Sequence, residues 1–376
     1  MLFRNDPLDK LNRRLPLAEK LRHIHDALSR RHSFVDRIAV ALYDAKINSV
    51  KTFAHSSGTA QPLAHYETGI ENAASLKEII DKGQPRVVND LGEFADGQQT
   101  HTLRIAEQGY ASSYTTPMYV DGTFFGFIFF NSYEKAPFDD ISLDDLDLFA
   151  HLVSLLIINE LRAMQVLLAT VKTARDMSHQ RDFETGSHLD RMSHFARLIA
   201  RELAAHGEHR LSDEYIERVF AFSPLHDVGK IAIPDRVLLK PGRLDDEELR
   251  IMRTHALKGR EMIDQMLANF QLGDVQSVDI LRNIAEYHHE AYNGSGYPHG
   301  LAGEEIPLEA RIVAVADMFD ALTSRRPYKH AWSNDEAFET LHELASVRLD
   351  PACVAALSAR RSEAEAIQAR FGDSCG

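Results

Sequence analysis

The chain has almost no cysteine. Of 376 residues only Cys353 and Cys375 carry a thiol. Both sit near the C-terminal end and outside any pairing or ligand motif, which excludes a disulfide framework, a zinc ribbon and an iron–sulfur cluster and points to a reducing cytoplasm. A long apolar run is also missing. The most apolar stretch, Leu152 to Ile158, is ended by Glu160 and Arg162, far short of the roughly 20 residues that span a bilayer. Charges at Arg4, Asp6, Asp9 and Lys10 leave no apolar core for a signal peptide, so no membrane role is expected. Positive charge is scarce as well: 42 Lys and Arg face 56 Asp and Glu, a formal charge of −14. A surface of that sign does not grip DNA, and an anionic substrate must instead meet a local cluster of basic side chains. With 44% apolar and 26% charged residues, the chain reads as ordinary globular protein, and its length suggests two domains.

From about residue 34 to 131 the pattern is short and β-like, with runs at Asp36 to Tyr43, Arg86 to Asn89, Ser113 to Val120 and Thr123 to Phe130. Asp121-Gly122 between the last two is a strong hairpin signal. Helical stretches at Ala73 to Lys82 and Thr102 to Gln108 make this an α+β domain on an antiparallel sheet. The segments "GQPRVVNDL", "GYASSYTTPMYVDGTFFGFIFFNS" and "FDDISLDDLDLFAHLVSLLI", in that order, resemble a GAF domain over roughly residues 20 to 160. The resemblance implies a regulatory or scaffolding domain around a small-molecule pocket. With no cysteine before residue 353 a thioether-tethered bilin is ruled out. His55, His65 and His101 offer haem ligands only in principle; scattered surface histidine is the plainer reading.

Residues 143 to 177 contain no Gly or Pro and place apolar side chains three and four apart: Phe149, Leu152 and Leu156, then Leu161, Met164, Leu168 and Val171. This pattern predicts a long connecting helix, packed on its own domain or paired with its copy in a homodimer. The expected layout is residues 1–142 sensory, 143–177 connector and 178–376 an all-α domain with loops at 233–245 and 293–307.

Histidine marks where the chemistry lies. Ten of 19 fall between His179 and His299. His226-Asp227 stands in "FSPLHDVGKIAIPD", at the expected end of a helix, where an imidazole suits one metal ion and a two-oxygen carboxylate can bridge to another. Capping and surface chemistry is the competing account of that pair. Glu184 and His188 are four apart and so share a helical face. His255 and His288-His289 follow, and Asp317 sits in the apolar run "RIVAVADMFDAL", where an inward carboxylate needs a counter-charge. Bland roles are available for each residue singly but not for all.

Together "HDVGKIAIPD", "LKPGRLDDEE", "HHEAYNGSGYPHGLAGEEIP" and "RIVAVADMFDALTSRRPYK" resemble the HD-GYP branch of the HD superfamily of metal phosphohydrolases over about residues 165 to 360. The resemblance implies a helical bundle that hydrolyses cyclic di-GMP to pGpG and on to GMP. It implies one metal site at His188, His226, Asp227 and Asp317, a second at bridging Asp227 with His255, His288 and His289, and a third ion held with Glu184. A donor set of N and O without thiolate favours iron or manganese. Asp227 and Lys230 are the expected catalytic residues. Lys230, Tyr297, Arg326 and Lys329 are the expected substrate contacts, with the Gly296-Tyr297-Pro298 loop a further protein-docking surface. Asn293 replaces the family's usual aspartate; the turn should survive, with one negative charge fewer. A cyclic GMP-AMP substrate and a non-catalytic cyclic di-GMP sensor are the alternatives.

Overall fold

The computed structural model describes residues 6–13, 15–58, 65–94, 100–177, 186–206, 211–269, 278–324 and 331–372. They form two compact units, Met1–Ala163 with Ser212–Glu214, and Met164–Leu211 with Tyr215–Gly376. Among the described residues no helix is long and apolar enough to cross a membrane.

The first unit runs α1 (Leu17–Ser29), β1 (Arg37–Asp44), β2 (Ser49–Ser57), β3 (Glu67–Gly69), α2 (Ala74–Lys82), β4 (Arg86–Val88), α3 (Thr100–Glu107), β5 (Ser112–Val120), β6 (Thr123–Ser132) and the part of α4 (Asp140–Met177) up to Ala163. Its sheet has the order β3-β2-β1-β6-β5-β4, with every neighbouring pair antiparallel. The β5–β6 turn is tight because Asp121 and Gly122 both take positive φ, 50° and 80°, as a mirror-image hairpin turn requires.

One face of the sheet buries Ile38, Val40, Phe53, Ile128 and Phe130 against α1 and α4. On α4 the fully buried face is Leu146, Ala150, Val153 and Ile157. The stripe expected from the sequence lies beside it: Phe149, Leu152, Leu156 and Leu161 pack half-buried against the same core, while the side chains of Met164, Leu168 and Val171 lie outside the described set. A third row, Ile141, Leu148 and Leu155, remains 77%, 68% and 65% exposed. Three apolar rows share the helix over these turns, so spacing alone does not pick its inner face.

The second unit is helical: α5 (Gly186–Ala205), α6 (Asp213–Phe222), α7 (Asp235–Leu238), α8 (Asp246–Arg253), α9 (His255–Asn269), α10 (Val278–Tyr287), α11 (Leu308–Thr323), α12 (Asn334–Leu344), α13 (Pro351–Ala359) and α14 (Arg361–Arg370). Helix α5 lies against α11, α13 and α14, and α9 against α10. His226-Asp227 is not on an α-helix. It occupies the turn between two 3₁₀ segments, Ser223–Leu225 and Val228–Ala232, because Pro224 interrupts the hydrogen bonds that would extend α6.

Candidate metal centre

Glycine brings the ligands together. A Cβ on Gly229 would stand 1.9 Å from the His255 carbonyl oxygen and 2.5 Å from the Gly259 nitrogen. Only a bare backbone lets segment 228–232, directly after Asp227, press against the start of α9. Gly296 does the same for the loop after α10, where a Cβ would meet the Ala291 nitrogen at 2.1 Å. The loop is fixed from below by buried Glu290, whose carboxylate accepts from the backbone N–H groups of His299 (2.7 Å), Gly300 (3.0 Å) and Leu301 (3.1 Å).

Two groups of side chains result. In one, ligand atoms of Asp227, His255, His288 and His289 all lie within 4.8 Å of each other; in the other, those of His188, His226 and Asp317 do. Asp227 joins them. Its Oδ1 is 3.1 Å from His255 Nε2 and 3.6 Å from His288 Nε2, while its Oδ2 is 3.2 Å from His226 Nε2 and 2.6 Å from Lys230 Nζ. Burial pushes the Asp227 carboxyl up, but its neighbours, the Lys230 ammonium first among them, outweigh it and hold the group well below the usual carboxylate range.

The imidazoles are set as acceptors at Nε2. Nδ1 is engaged by the Ser223 carbonyl in His226 (2.9 Å), the Met252 carbonyl in His255 (2.8 Å), the Ile284 carbonyl in His288 (2.9 Å) and the Asp320 carboxylate in His188 (2.7 Å). A carbonyl accepts only from N–H, so each of these rings carries its proton on Nδ1 and turns a lone pair inward. Burial lowers the pKa of His288, and burial with neighbouring His288 lowers that of His289 further, which favours neutral rings.

Asp227 Oδ1, His255 Nε2 and His288 Nε2 are buried with no hydrogen-bond partner among the described residues. Each such atom costs about 1–3 kcal/mol if nothing compensates it. Their convergence, with N and O donors and no thiolate, fits divalent metal cations.

Asp320 was not singled out from the sequence, and it adds a second carboxylate to α11 beside Asp317. The fully buried carboxylate on that helix is Asp320, while the Asp317 side chain is 29% exposed, with its Oδ1 3.9 Å from His188 Nε2. Asp320 has the counter-charge that an inward carboxylate requires: Arg191 Nε donates to it at 2.6 Å and Arg191 Nη2 at 3.1 Å. Asp317 and Asp320 are three apart in one apolar run, the only sequence signal that both face the same way.

Lys230 is placed beside Asp227 by the 3₁₀ segment. Tyr297 stacks on His289 with centroids 4.8 Å apart and 30° between planes; burial pushes its phenol up, Asp227 adding and Arg253 opposing. Asn293 is exposed, and its Oδ1 accepts from the Ser295 N–H (3.0 Å) and hydroxyl (2.6 Å), shaping the turn. Glu184, Arg326 and Lys329 lie outside the described residues.

Residues 17–157 match the GAF domain and residues 172–353 match the HD domain. A cyclic di-GMP phosphodiesterase response regulator of Xanthomonas campestris pv. campestris is 48% identical over 192 residues, 51% of this chain and 47% of that protein. A cyclic di-GMP phosphodiesterase of Vibrio cholerae is 40% identical over 59% of this chain and 46% of its own length, and a 3'3'-cGAMP-specific phosphodiesterase of the same organism 36% identical over 51% and 34%. The matched stretch thus spans about half or less of each of these relatives. On both the antiparallel sheet and the helical metal-type site, the chain carries a GAF domain followed by an HD domain.

Proposed function

We propose that this protein is a metal-dependent phosphodiesterase that opens cyclic di-GMP to pGpG and cuts it on to GMP, in the cytoplasm and under control of its GAF domain. The observation that carries this reading is Asp227, with one oxygen toward His255 and His288 and the other toward His226. That arrangement suits a carboxylate bridging two ions, with His188, His226 and Asp317 on one side and His255, His288 and His289 on the other. Iron or manganese bound there supplies an acidified water and a positive charge for the phosphate oxygens.

The chain's own groups do the rest. Carbonyls 223, 252 and 284 hold three imidazoles in the donating tautomer. Lys230 neutralises Asp227 and is placed to meet the scissile phosphate or its leaving oxygen. Tyr297 closes one side of the site, Arg326 and Lys329 are assigned to the dinucleotide, and Glu184 would help hold a third ion, which would supply positive charge for the new terminal phosphate. Residues 1–142, 143–177 and 178–376 serve as regulator, connector and catalyst. The exposed row Ile141, Leu148 and Leu155, at a seven-residue step, suits a homodimer through α4, and the loop at Gly296 to Pro298 is a candidate protein-docking surface.

Purified protein loaded with manganese or, without oxygen, ferrous iron should convert cyclic di-GMP through pGpG to GMP, followed by chromatography. Glu184→Ala should slow the second step more than the first. Accumulation of pGpG alone refutes the third ion, turnover of cyclic GMP-AMP only replaces the substrate, and tight binding without turnover makes the protein a sensor.

A further inference from the structure

The basic side chains of the HD unit are largely taken up by carboxylates. Arg191 meets Asp320, Arg260 meets Asp264 and Glu286, Arg282 meets Asp264 and Asp279, and Arg311 meets Asp350. Arg253 is different. It is the exposed last residue of α8, and its guanidinium makes no ion pair and no side-chain hydrogen bond among the described residues; it lies over the ring of Tyr297, 5.2 Å from guanidinium carbon to centroid. Tyr297 in turn stacks on His289 of the Asp227 quartet. A single aromatic ring therefore separates an uncommitted cation from the metal-type cluster.

The dipole of α8 gives no sufficient reason for Arg253, since Arg250 already stands in the same last turn. A guanidinium lying over a ring is held flat while its N–H edges stay open, and those edges match a phosphate in bidentate fashion. In a chain of net charge −14, such a group offsets the repulsion that a second phosphate would meet.

The geometry points to Arg253 as the residue that binds the phosphate not being cut, which gives the site a preference for substrates with two phosphodiesters. This assignment rests on the phosphodiesterase reading above. A cyclic dinucleotide joins its two phosphates through ribose, so a phosphate held beside Asp227 carries the other outward from the quartet, toward the ring of Tyr297 over which Arg253 lies. Arg253 binds and positions the substrate; it has no part in bond making.

The test uses the full-length, manganese-loaded protein, with cyclic di-GMP and the one-phosphate diester bis(p-nitrophenyl) phosphate as substrates. Arg253→Ala should raise KM for cyclic di-GMP about tenfold or more, as loss of a charged hydrogen bond implies, leave kcat within about twofold, and leave turnover of bis(p-nitrophenyl) phosphate unchanged. Arg253→Lys, which keeps the charge but not the fork, should recover part of the KM. An unchanged KM with active wild type overturns the assignment and spares the phosphodiesterase reading. Equal losses on both substrates also overturn it, because Arg253 would then only be holding Tyr297. A wild-type protein that turns over neither substrate removes both.

Discussion

Asp320→Asn separates ligand orientation from stability. The native carboxylate is 0% exposed and accepts from His188 Nδ1, Arg191 Nε and Nη2, and the Ser324 hydroxyl at 2.7, 2.6, 3.1 and 3.0 Å. An amide keeps the shape but replaces one oxygen with a donor, which must face a donor of His188 or Arg191, and it leaves the buried Arg191 charge without its partner. Breaking a buried pair from one side costs about 3–5 kcal/mol. At roughly 2–4 °C per kcal/mol for a domain of this size, the metal-stripped protein should melt on the order of 10 °C lower. Freeing His188 from its orienting carboxylate should also weaken metal binding about 10–100-fold, read by titration against a chelating dye. The double variant Arg191→Met with Asp320→Asn removes the stranded charge. Its melting temperature should recover while its metal affinity stays low. Metal affinity within about twofold of wild type in Asp320→Asn would refute the orienting role, whatever the melting temperature does.

Three further outcomes follow from the geometry. Gly229→Ala sets a methyl 1.9 Å from the His255 carbonyl oxygen; overpacking of about 1–3 kcal/mol should part Asp227 from His255, so bound metal falls while far-ultraviolet circular dichroism is kept. Native metal content in that variant argues against the close approach. Leu148→Glu with Leu155→Glu, at positions 68% and 65% exposed, should turn a dimer into a monomer in sedimentation without lowering the melting temperature; an unchanged mass would place the dimer contact elsewhere. Chelation should lower the melting temperature of protein kept in free metal at a hundred times the Kd by roughly 5–10 °C, since that binding contributes about 2.7 kcal/mol, and no shift would mean that no ion had been bound.

Much of the fold could be read directly. Asp-Gly between two β-runs marked the hairpin, because few other residues accept two consecutive positive φ values. Strand β2 was not singled out: Ser49, Lys51 and His55 hide its alternation, and Lys51 is tolerated inside only because Asp44 meets it at 2.9 Å. The spacing of Glu184, His188, His226-Asp227, His255, His288-His289 and Asp317 was visible, and the structure gathers seven of these eight residues. The rank of the two α11 carboxylates was not. Asp317 and Asp320 have equally apolar neighbours, and the choice is made by Arg191, which is 129 residues distant from Asp320 in sequence. The turn at His226-Asp227 escaped for a local reason: Pro224 ends α6, but a Pro in the sequence does not say whether the chain leaves as a loop or steps on through 3₁₀ turns.

Glu290 ties three successive amides, those of His299, Gly300 and Leu301, to one carboxylate. These protons have no ladder of secondary structure behind them, so their protection from solvent exchange depends on a single side chain letting go. They should exchange as one event, with a common opening free energy, rather than fraying one after another as a loop end does. The stretch beside Tyr297 is in that respect a latch with a single catch, open or shut along its whole length.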